Sequence, residues 1–501
     1  MNKNNRVFND QEKIRREKLS QLQSLNMDPY SVEYVRRTLN LGEFRQKYAS
    51  LKNETHSKDN HVLVGRVMNL RQTFGVIKDF FGQLQFYLNK KELDEKVFNY
   101  FNKYVDIGDI VEIKGNPFVT MKGELSLNVK EIRIVSKSLK PLPEKYHGLQ
   151  DEELRARHRY VDLITNSESM ETFVLRSLIV KYIRNFMDGN GYFEVETPVL
   201  HPILGGANAR PFKTFHNALK RDYYLRVATE LPLKKLIVGG FDRVYEIGRI
   251  FRNEGMDATH NPEFTSMEAY TAYQSMEDTM DLVENIFHYV AQQLKVKEIQ
   301  IPAKDENGPL GPKIEIAKKF KRIRMTDFVK EVTGVDFDKV KDDKEALEIA
   351  KKHNVQFEKH QKTKGHILNL FFEQFCEEKC IQPTFVWGHP TEVSPLSKKD
   401  YQRPGYTKRF ELFINTKEYA NAFAELNDPI DQYERFEDQI NEKELGNDEA
   451  VEMDMDFIEA LEYGLPPTGG LGIGIDRLVM LFSNKLTIRD VLLFPHMKDK
   501  I

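Results

Sequence analysis

The segment FRNEGMDATHNPEF, residues 251–264, decides most about the fold of this chain. Arg252 and Glu254 alternate, so on a β-strand both side chains would point to the same face. A predicted turn, GMDAT, leads on to His260 and Phe264. An arginine can bind a phosphate, a glutamate can accept a hydrogen bond from an exocyclic amine, and an aromatic ring can stack on a base. The segment therefore predicts a nucleotide site, and the alternative is an ordinary surface hairpin with an ion pair.

A second segment, GGLGIGIDRL at residues 469–478, carries glycines at positions 469, 470, 472 and 474. The spacing is not that of a GxGxxG fingerprint, and the chain contains no GxxxxGK[ST] sequence, so a P-loop is excluded. Alternating glycines allow a ligand to approach the backbone closely, and we predict that this ligand is a flat base. Arg477 would close one side of such a site.

A third segment, GYFEVETPVL at residues 191–200, predicts a helix end followed by a short strand that stops at Pro198. The residues before it have the 3.6-residue apolar period of an amphipathic helix, which Asp188-Gly189-Asn190-Gly191 would end. The apolar positions are Val174, Leu178, Tyr182 and Phe186, with Leu175, Ile179 and Ile183 alongside.

Changes in the sequence pattern predict how the chain divides into domains. Residues 61–135 contain about five short alternating runs separated by turn residues, which predicts a small β-barrel. Residues 1–60 form a predicted helical extension, and the aperiodic residues 136–150 a linker. The remaining residues, 151–501, mix helices and strands in an α+β pattern with a largely antiparallel sheet, and hold a polar helical insertion around 325–380.

Composition excludes several classes of protein. The 501 residues are 40% hydrophobic and 30% charged with a net charge of −3, which is ordinary for a globular enzyme. Two cysteines, Cys376 and Cys380, rule out a disulfide framework and lie one helical turn apart, which favours helix packing over a zinc site. With no apolar run of about 18 residues and a charged N-terminus, we expect a cytoplasmic protein with no membrane partner.

Together the three segments resemble motifs 1, 2 and 3 of the class II aminoacyl-tRNA synthetases, in the same order. The preceding barrel narrows the resemblance to the subclass for lysine, aspartate and asparagine, and the chain is most similar to the bacterial-type lysyl-tRNA synthetases. That resemblance covers nearly the whole chain through GGANARPF (205–212), NPEFTSMEAY (261–270), IQPTFVWGHPTEVSPL (381–396), FAELND (423–428) and LEYGLPPTGGLGIGIDR (461–477). It implies an N-terminal OB-fold barrel followed by a class II catalytic domain built on an antiparallel sheet flanked by helices.

The resemblance implies that L-lysine reacts with ATP to give lysyl-adenylate and pyrophosphate, after which lysine passes to the 3' end of its tRNA. Arg252 would bridge the lysine carboxylate and the α-phosphate, with Asn421 helping to fix the carboxylate. His260 and Arg477 would neutralise the outer phosphates, completing the catalytic residues. The positions that match the family's ATP site are Arg252, Glu254, His260, Asn261, Phe264, Glu411 and Arg477.

A lysine pocket has its own chemical requirement, because a buried ammonium needs a carboxylate partner. By resemblance, Glu425 and Tyr270 hold the ε-ammonium with Glu268 close by, and Glu230 and the Gly206 backbone hold the α-amino group. An aspartate pocket would instead need a cation facing the substrate side chain. The acidic candidates therefore argue against a sister aspartyl or asparaginyl synthetase.

Two acids, Glu411 and Glu418, match the family's ligands for Mg²⁺. Their spacing in RFELFINTKEYANAF, residues 409–423, predicts a strand, a turn and a returning strand with both carboxylates on one side. The chain departs from relatives at residues 419–422, Tyr-Ala-Asn-Ala, where small glycines are common.

The resemblance assigns anticodon reading to Phe74, Gln85 and Glu124 of the barrel, since OB-folds stack and hydrogen-bond single-stranded bases. The hairpin between Arg71 and Lys78 is a few residues shorter than in relatives. A homodimer is implied by motif 1. Two further alternatives stay open: a paralogue that lysylates a protein, which would usually lack the barrel, and a non-catalytic RNA-binding relative, which would usually show a broken motif set.

Overall fold

The computed structural model describes residues 7–143, 149, 151–207, 209–303, 308–446 and 452–498. The chain divides into two units, residues 1–150 and 151–501. No helix in these described ranges is both long and apolar enough to cross a membrane.

Five strands of the first unit close into a barrel, with neighbours in the order β1-β2-β3-β5-β4. The strands are β1 His61–Leu70, β2 Phe74–Asp79, β3 Gly82–Tyr87, β4 Ile110–Val119 and β5 Leu125–Ser136. β3 and β5 run parallel, and the other pairs are antiparallel. Side chains along β1 alternate between buried and half-buried, as a strand with one face on a core requires. The predicted five-stranded barrel is confirmed.

Among the described residues of the first unit, three α-helices and a short 3-10 helix accompany the barrel. They are α1 Asp10–Ser24, the 3-10 helix Pro29–Ser31, α2 Leu41–Lys47 and α3 Glu95–Tyr104. α2 begins with a capping box, in which Asn40 and Glu43 exchange side-chain and backbone hydrogen bonds. Leu22 of α1 and Phe44 of α2 pack into the same core as the barrel residue Phe86. The charged N-terminal helix expected from the sequence is therefore present.

The second unit is built on an eight-stranded sheet. The strands described in the second unit, eight of which form this sheet, are β6 Phe193–Glu194, β7 Leu200–His201, β8 Lys213–His216, β9 Arg221–Leu225, β10 Arg243–Phe251, β11 Glu263–Ala272, β12 Ile299–Gln300, β13 Lys313–Ile314, β14 Lys321–Arg324, β15 Thr384–Trp387, β16 Arg409–Ile414, β17 Lys417–Ala424 and β18 Thr468–Gly474. The large sheet has the order β14-β15-β16-β17-β18-β11-β10-β6. Only its two outermost pairs are parallel, so the predicted, largely antiparallel sheet is confirmed.

Helices cover one face of this sheet. The α-helices of the unit are α4 Glu152–Arg157, α5 Arg159–Thr165, α6 Ser167–Gly189, α7 Glu230–Val238, α8 Met276–Gln293, α9 Met325–Thr333, α10 Asp343–Lys352, α11 Lys364–Phe371, α12 Pro429–Glu444, α13 Met455–Glu462, α14 Ile475–Phe482 and α15 Ile488–Val491. Ile183 of α6, Phe287 of α8 and Leu478 of α14 share one core with Met267 and Ile473 of the sheet. Because side chains alternate along a strand, every second residue of β11 and β18 is left for the opposite face.

The helix before the third sequence segment differs in detail from the prediction. α6 ends at Gly189, and Gly191 follows with φ +78°, as the stop signal indicates. Ile179 and Ile183 are buried, whereas Leu178, in the predicted stripe, is 36% exposed. The apolar residues cover more of the helix than one packing partner can bury. β6 is also shorter than expected and ends at Glu194 rather than at Pro198.

The predicted insertion around residues 325–380 holds α9, α10 and α11, continued by a π-helical turn, Phe372–Cys376, and a 3-10 turn, Glu377–Lys379. Phe337, Ala346 and Phe371 form the centre of a separate core there. Cys376 and Cys380 are buried in the same core. Burial raises the pKa of both thiols to about 12, so both are held in the protonated form.

Candidate active site

A cavity of about 530 Å³ opens on the face of the sheet opposite to α6, α8 and α14. The glycines Gly470, Gly472 and Gly474 of β18 line it, while Leu471 and Ile473 between them point mainly into the helix-covered core. All fourteen residues predicted for the catalytic unit line this one cavity. They are Gly206, Glu230, Arg252, Glu254, His260, Asn261, Phe264, Glu268, Tyr270, Glu411, Glu418, Asn421, Glu425 and Arg477.

One end of the cavity is lined by Glu230, Glu268, Tyr270 and Glu425. Lys234, which is fully buried, contacts Glu230 and Glu425, and these five residues are here called the acidic end. Glu268 and Tyr270 are two residues apart on β11 and face the same way, and the Tyr270 hydroxyl donates to Glu268 Oε2 at 3.1 Å. Glu268 Oε1 accepts from the backbone N–H of Thr229 at 3.1 Å, just before α7 begins. All these acids are buried.

Burial sets the protonation of this end. Burial, followed by the charge of Glu230, raises the pKa of Glu268 to about 7. Burial also raises the pKa of Glu425 well above its ordinary value, and Lys234 opposes the rise. A cation brought to these carboxylates would therefore favour their ionised forms strongly.

The missing side chain of Gly470 makes room for the acidic end. A Cβ at this position would lie 2.6 Å from the Tyr270 ring and would overlap the Glu425 carboxylate. The predicted approach of a flat base is therefore wrong at Gly470. At Gly472 and Gly474 an added Cβ would meet no other residue closer than 3.8 Å, so these two glycines do leave open space in the cavity.

The other end, here called the cationic end, contains Arg252, His260 and Arg477. His260 Nε2 and Arg477 NH2 are 3.2 Å apart, and His260 Nδ1 lies 2.7 Å from Asp257 Oδ2. Partial burial acts to raise the pKa of Asp257, but hydrogen bonds from Thr259 and His260 outweigh it and lower the pKa. Arg477, at the start of α14, donates through NH1 to the Glu418 carbonyl at 2.7 Å.

The strand predicted to carry Arg252 and Glu254 ends before them, at Phe251. Both residues lie in the following loop, so strand alternation is not what aims them at the cavity, and that prediction is wrong. Arg252 NE is 3.4 Å from the Val227 carbonyl, and its guanidinium lies 5.3 Å from the centre of the Phe264 ring. The loop still brings both side chains to the cavity.

Asn261 also lines the cavity, but its amide is engaged within the protein. Its Nδ2 donates to the Glu263 carbonyl at 2.5 Å, and its Oδ1 accepts from the His496 N–H at 3.3 Å. These contacts make Asn261 a support for the start of β11 as well as part of the cavity wall.

Glu411 and Glu418 lie on β16 and β17, the strand, turn and returning strand that their spacing predicts. Arg409 NH2 donates to Glu411 Oε1 at 2.6 Å, and His389 Nε2 lies 3.4 Å from Oε2. Burial acts to raise the pKa of Glu411, but Arg409 and His389 lower it to about 2. Burial and then the charge of Glu411 raise the pKa of Glu418. A divalent cation would relieve this repulsion, so the pair fits the oxygen donors that Mg²⁺ prefers.

Comparison with known protein families identifies the family of the second unit. Residues 151–498 match the family model described as tRNA synthetases class II (D, K and N). The chain belongs to this family of class II tRNA synthetases. Residues 61–135 of this synthetase match the OB-fold nucleic acid binding domain, in agreement with the closed barrel.

Curated relatives of this class II synthetase match along its whole length. A protein named lysine–tRNA ligase from Malacoplasma penetrans is 70% identical over 496 residues, covering 99% of each chain. Proteins with the same name from Mycoplasmoides gallisepticum and Lactococcus lactis are each 53% identical, covering 98% of this chain and 99% of theirs.

In the OB-fold of the synthetase, the three residues predicted to read an anticodon lie on β2 and β3 and just before β5. The Phe74 ring stacks on Tyr87, with centroids 4.5 Å apart. Gln85 Nε2 donates to Ser126 Oγ at 2.9 Å, across the β3–β5 pair. Glu124 is exposed and precedes β5 by one residue.

Sequence reasoning missed several residues of the site. Lys234 lies four residues after Glu230 on α7, a spacing that places two side chains on one helix face, so the pair was visible in the sequence. Arg409 likewise lies two residues before Glu411 on β16, and its NE also donates to Asn421 Oδ1 at 3.1 Å. His389 lies in a segment between strands, and no periodicity pointed to it.

Proposed function

We propose that this chain is a lysine–tRNA ligase, which joins L-lysine to the 3' end of its tRNA by way of lysyl-adenylate. The observation that carries the proposal is the acidic end itself, where three buried carboxylates face a cavity whose other end is cationic. Lysine has two ammonium groups and one carboxylate, and ATP is an anion, so the charges of the two substrates match the two ends. The names of the curated relatives support the same assignment.

At the acidic end, Glu425 and Tyr270 hold the ε-ammonium of lysine, with Glu268 beside them. Glu230 holds the α-amino group next to the Gly206 backbone, whose φ of +89° turns the chain toward the cavity wall. An uncharged analogue such as norleucine would not supply the ε-ammonium that these buried carboxylates bind, which is the strongest kind of discrimination a pocket can make.

At the cationic end, the lysine carboxylate attacks the α-phosphorus of ATP. A bond forms between a carboxylate oxygen and phosphorus, and the bond from phosphorus to the bridging oxygen breaks to release pyrophosphate. Arg252 stabilises the charge that develops on the α-phosphate, while His260 and Arg477 hold the outer phosphates. No protein nucleophile takes part, so catalysis rests on position and charge. In the second step a ribose hydroxyl of the tRNA attacks the lysyl carbonyl, and AMP leaves.

Two carboxylates, Glu411 and Glu418, are proposed to hold Mg²⁺. When bound, the ion would neutralise phosphate charge. Arg409 and His389 keep Glu411 ionised and oriented for this role. The adenine is proposed to lie near Glu254, Asn261 and Phe264.

The remaining assignments are also proposals. We assign residues 61–135 to anticodon binding through Phe74, Gln85 and Glu124, residues 136–150 to a linker, and residues 151–501 to catalysis. A homodimer is supported by apolar side chains left exposed on α6 and the strands after it, among them Leu178, Phe193 at 64% and Leu200 at 44%. Two buried, unpaired cysteines fit the reducing cytoplasm.

The proposal is tested by lysine-dependent exchange of pyrophosphate into ATP without tRNA, with aspartate, asparagine and ornithine offered separately. Exchange with lysine alone supports the assignment, whereas exchange with aspartate or asparagine would reassign the acidic end. Gln85→Ala tests the barrel, because it should reduce charging of lysine tRNA by roughly tenfold while leaving exchange unchanged. Loss of both activities in that variant would indicate misfolding.

A further inference from the structure

An ammonium of the protein itself occupies the acidic end. Lys234 is fully buried, with its Nζ 2.5 Å from Glu230 Oε1 and in an ion pair with Glu425 Oε2. The rings of Phe423 and Phe457 lie 5.5 and 5.7 Å from the same Nζ and close it off from water. The two carboxylates it touches are the ones assigned to the two amino groups of the substrate.

The count of charges at this end explains why such a group is needed. Glu230, Glu268 and Glu425 are three buried carboxylates, and Lys234 is in contact with two of them, Glu230 and Glu425. Three carboxylates taken out of water together would protonate rather than stay charged. With one ammonium in place, part of this negative charge is balanced within the protein, and the two ammonium groups of lysine can balance more of it.

We propose that Lys234 is a positioning residue for lysine recognition, whose ammonium orients Glu230 and Glu425 and favours their ionised forms before the substrate arrives. The inference rests on the proposed function, because it assigns Lys234 a part in the same pocket. Lys234 does not touch the reacting atoms. It acts through the two carboxylates that it contacts, and it disfavours uncharged side chains by favouring the charged forms of those carboxylates.

The next residue in the chain, Lys235, makes an ordinary surface ion pair and so contrasts with the buried Lys234. Lys235, one residue along α7, pairs with Asp456 of α13, whose side chain is 80% exposed. Lys234 instead points inward, where no solvent competes for its charge. An interior lysine with only packing to contribute would be replaceable by an apolar residue of the same length.

The pH dependence of lysine binding at this end is set by the charged and titratable groups around Lys234 and its two carboxylates. α7 contributes Glu230 and Lys234 itself, and Glu425 follows β17. The others are Glu268 and Tyr270 of β11 and Arg409 of β16, which also acts on Glu230.

The directions of these pKa shifts determine which way the pH dependence of lysine binding should move when Lys234 is removed. Burial raises the pKa of Glu230 and of Glu425, and the Lys234 ammonium works against both rises. Burial acts to lower the pKa of Lys234, but the two carboxylates outweigh it and raise the pKa, so the lysine stays charged. Removing this ammonium must therefore move both carboxylates to still higher pKa, and binding of lysine must begin to fail at a higher pH.

Lys234→Met tests the proposal, because methionine is close in length and carries no charge. Exchange of pyrophosphate into ATP is measured against lysine concentration from about pH 5.5 to pH 9. We expect the KM for lysine to rise about tenfold or more, with kcat at saturating lysine and the KM for ATP within about threefold of the parent. We also expect the acidic limb of kcat/KM for lysine to move up by about one pH unit. Lys235→Met is the matched control and should match the parent in all four quantities.

A Lys234→Met enzyme with the parent's lysine KM and acidic limb would overturn the proposal, even if its melting temperature fell. Should that variant fail to fold, Lys234→Gln carries the same expectation, and Lys234→Arg should keep the parent's acidic limb because it keeps the charge. An acidic limb that moves in Lys234→Arg would also overturn it. Failure of the proposed function is distinct, because the parent enzyme itself would then show no lysine-dependent exchange.

Discussion

At the acidic end of the cavity, the buried Lys234 contacts the buried carboxylates of Glu230 and Glu425, whereas at the cationic end His260 and Arg477 meet in a partly exposed contact. The His260 side chain is 53% exposed, and Arg252 lies in a loop rather than on a strand. The acidic end can therefore discriminate by charge in a dry environment, where an unpaired group is costly. The cationic end is open to solvent and suits a large, multiply charged ligand that brings its own ions.

Glu425→Gln should have one of the two largest effects, because it leaves the substrate ammonium and Lys234 with one carboxylate fewer in a buried site. We expect kcat/KM for lysine to fall about 10²–10³-fold, mainly through KM, while the KM for ATP is retained. Glu434→Gln, on the exposed face of α12, is the control and should have no effect. An unchanged lysine KM would break the assignment of the acidic end.

Arg252→Ala should affect the cationic end alone. We expect kcat for exchange to fall about 10²–10³-fold, because charge on the α-phosphate is no longer stabilised. The matched control is Arg249→Ala, whose arginine lies on β10 in a half-exposed pair with Glu263. A loss confined to the KM for lysine would contradict the separation of the two ends.

Gly470→Ala and Gly472→Ala compare two positions on the same strand, one packed against the acidic end and one beside open space in the cavity. The Cβ at Gly470 would displace Glu425 and Tyr270, so the KM for lysine should rise about 10–100-fold with little change in the KM for ATP. At Gly472 the added Cβ would make only ordinary contacts, 3.8 Å from Asn421 O and Glu268 Cγ, so this variant should raise the KM for lysine much less than Gly470→Ala does. Equal effects of the two variants on both substrates would show that the ends are not independent.

Glu268→Gln should have the smallest effect, on stability in the absence of lysine. The folded-state pKa of Glu268 is raised to about 7, so the folded protein keeps a proton that the unfolded chain loses at lower pH. Stability must then fall as the pH rises between the ordinary glutamate value and about 7. We expect the free energy of unfolding of the parent to drop by about 1–3 kcal/mol relative to Glu268→Gln over this window, measured by denaturant titration. A constant difference across the window would show that Glu268 is ionised throughout.

The sequence was sufficient for the barrel, for the largely antiparallel sheet and for the hairpin that carries Glu411 and Glu418, because alternation and turn residues are local signals. It was misleading for Arg252 and Glu254, since alternation over three residues does not distinguish a strand from the loop that follows it. It was also incomplete for α6, whose apolar residues exceed what one partner buries.

What the sequence determined by itself was the set of chemical groups: the acids, the arginines and the glycines, in an order that resembles one family. Only the tertiary structure decided which of them share a site and in what state. The space that a side chain at Gly470 would fill is occupied by Glu425 and not by a base, and Lys234 is part of the acidic end. Burial and the contacts between distant segments set these roles, and neither quantity is written in the local order of residues.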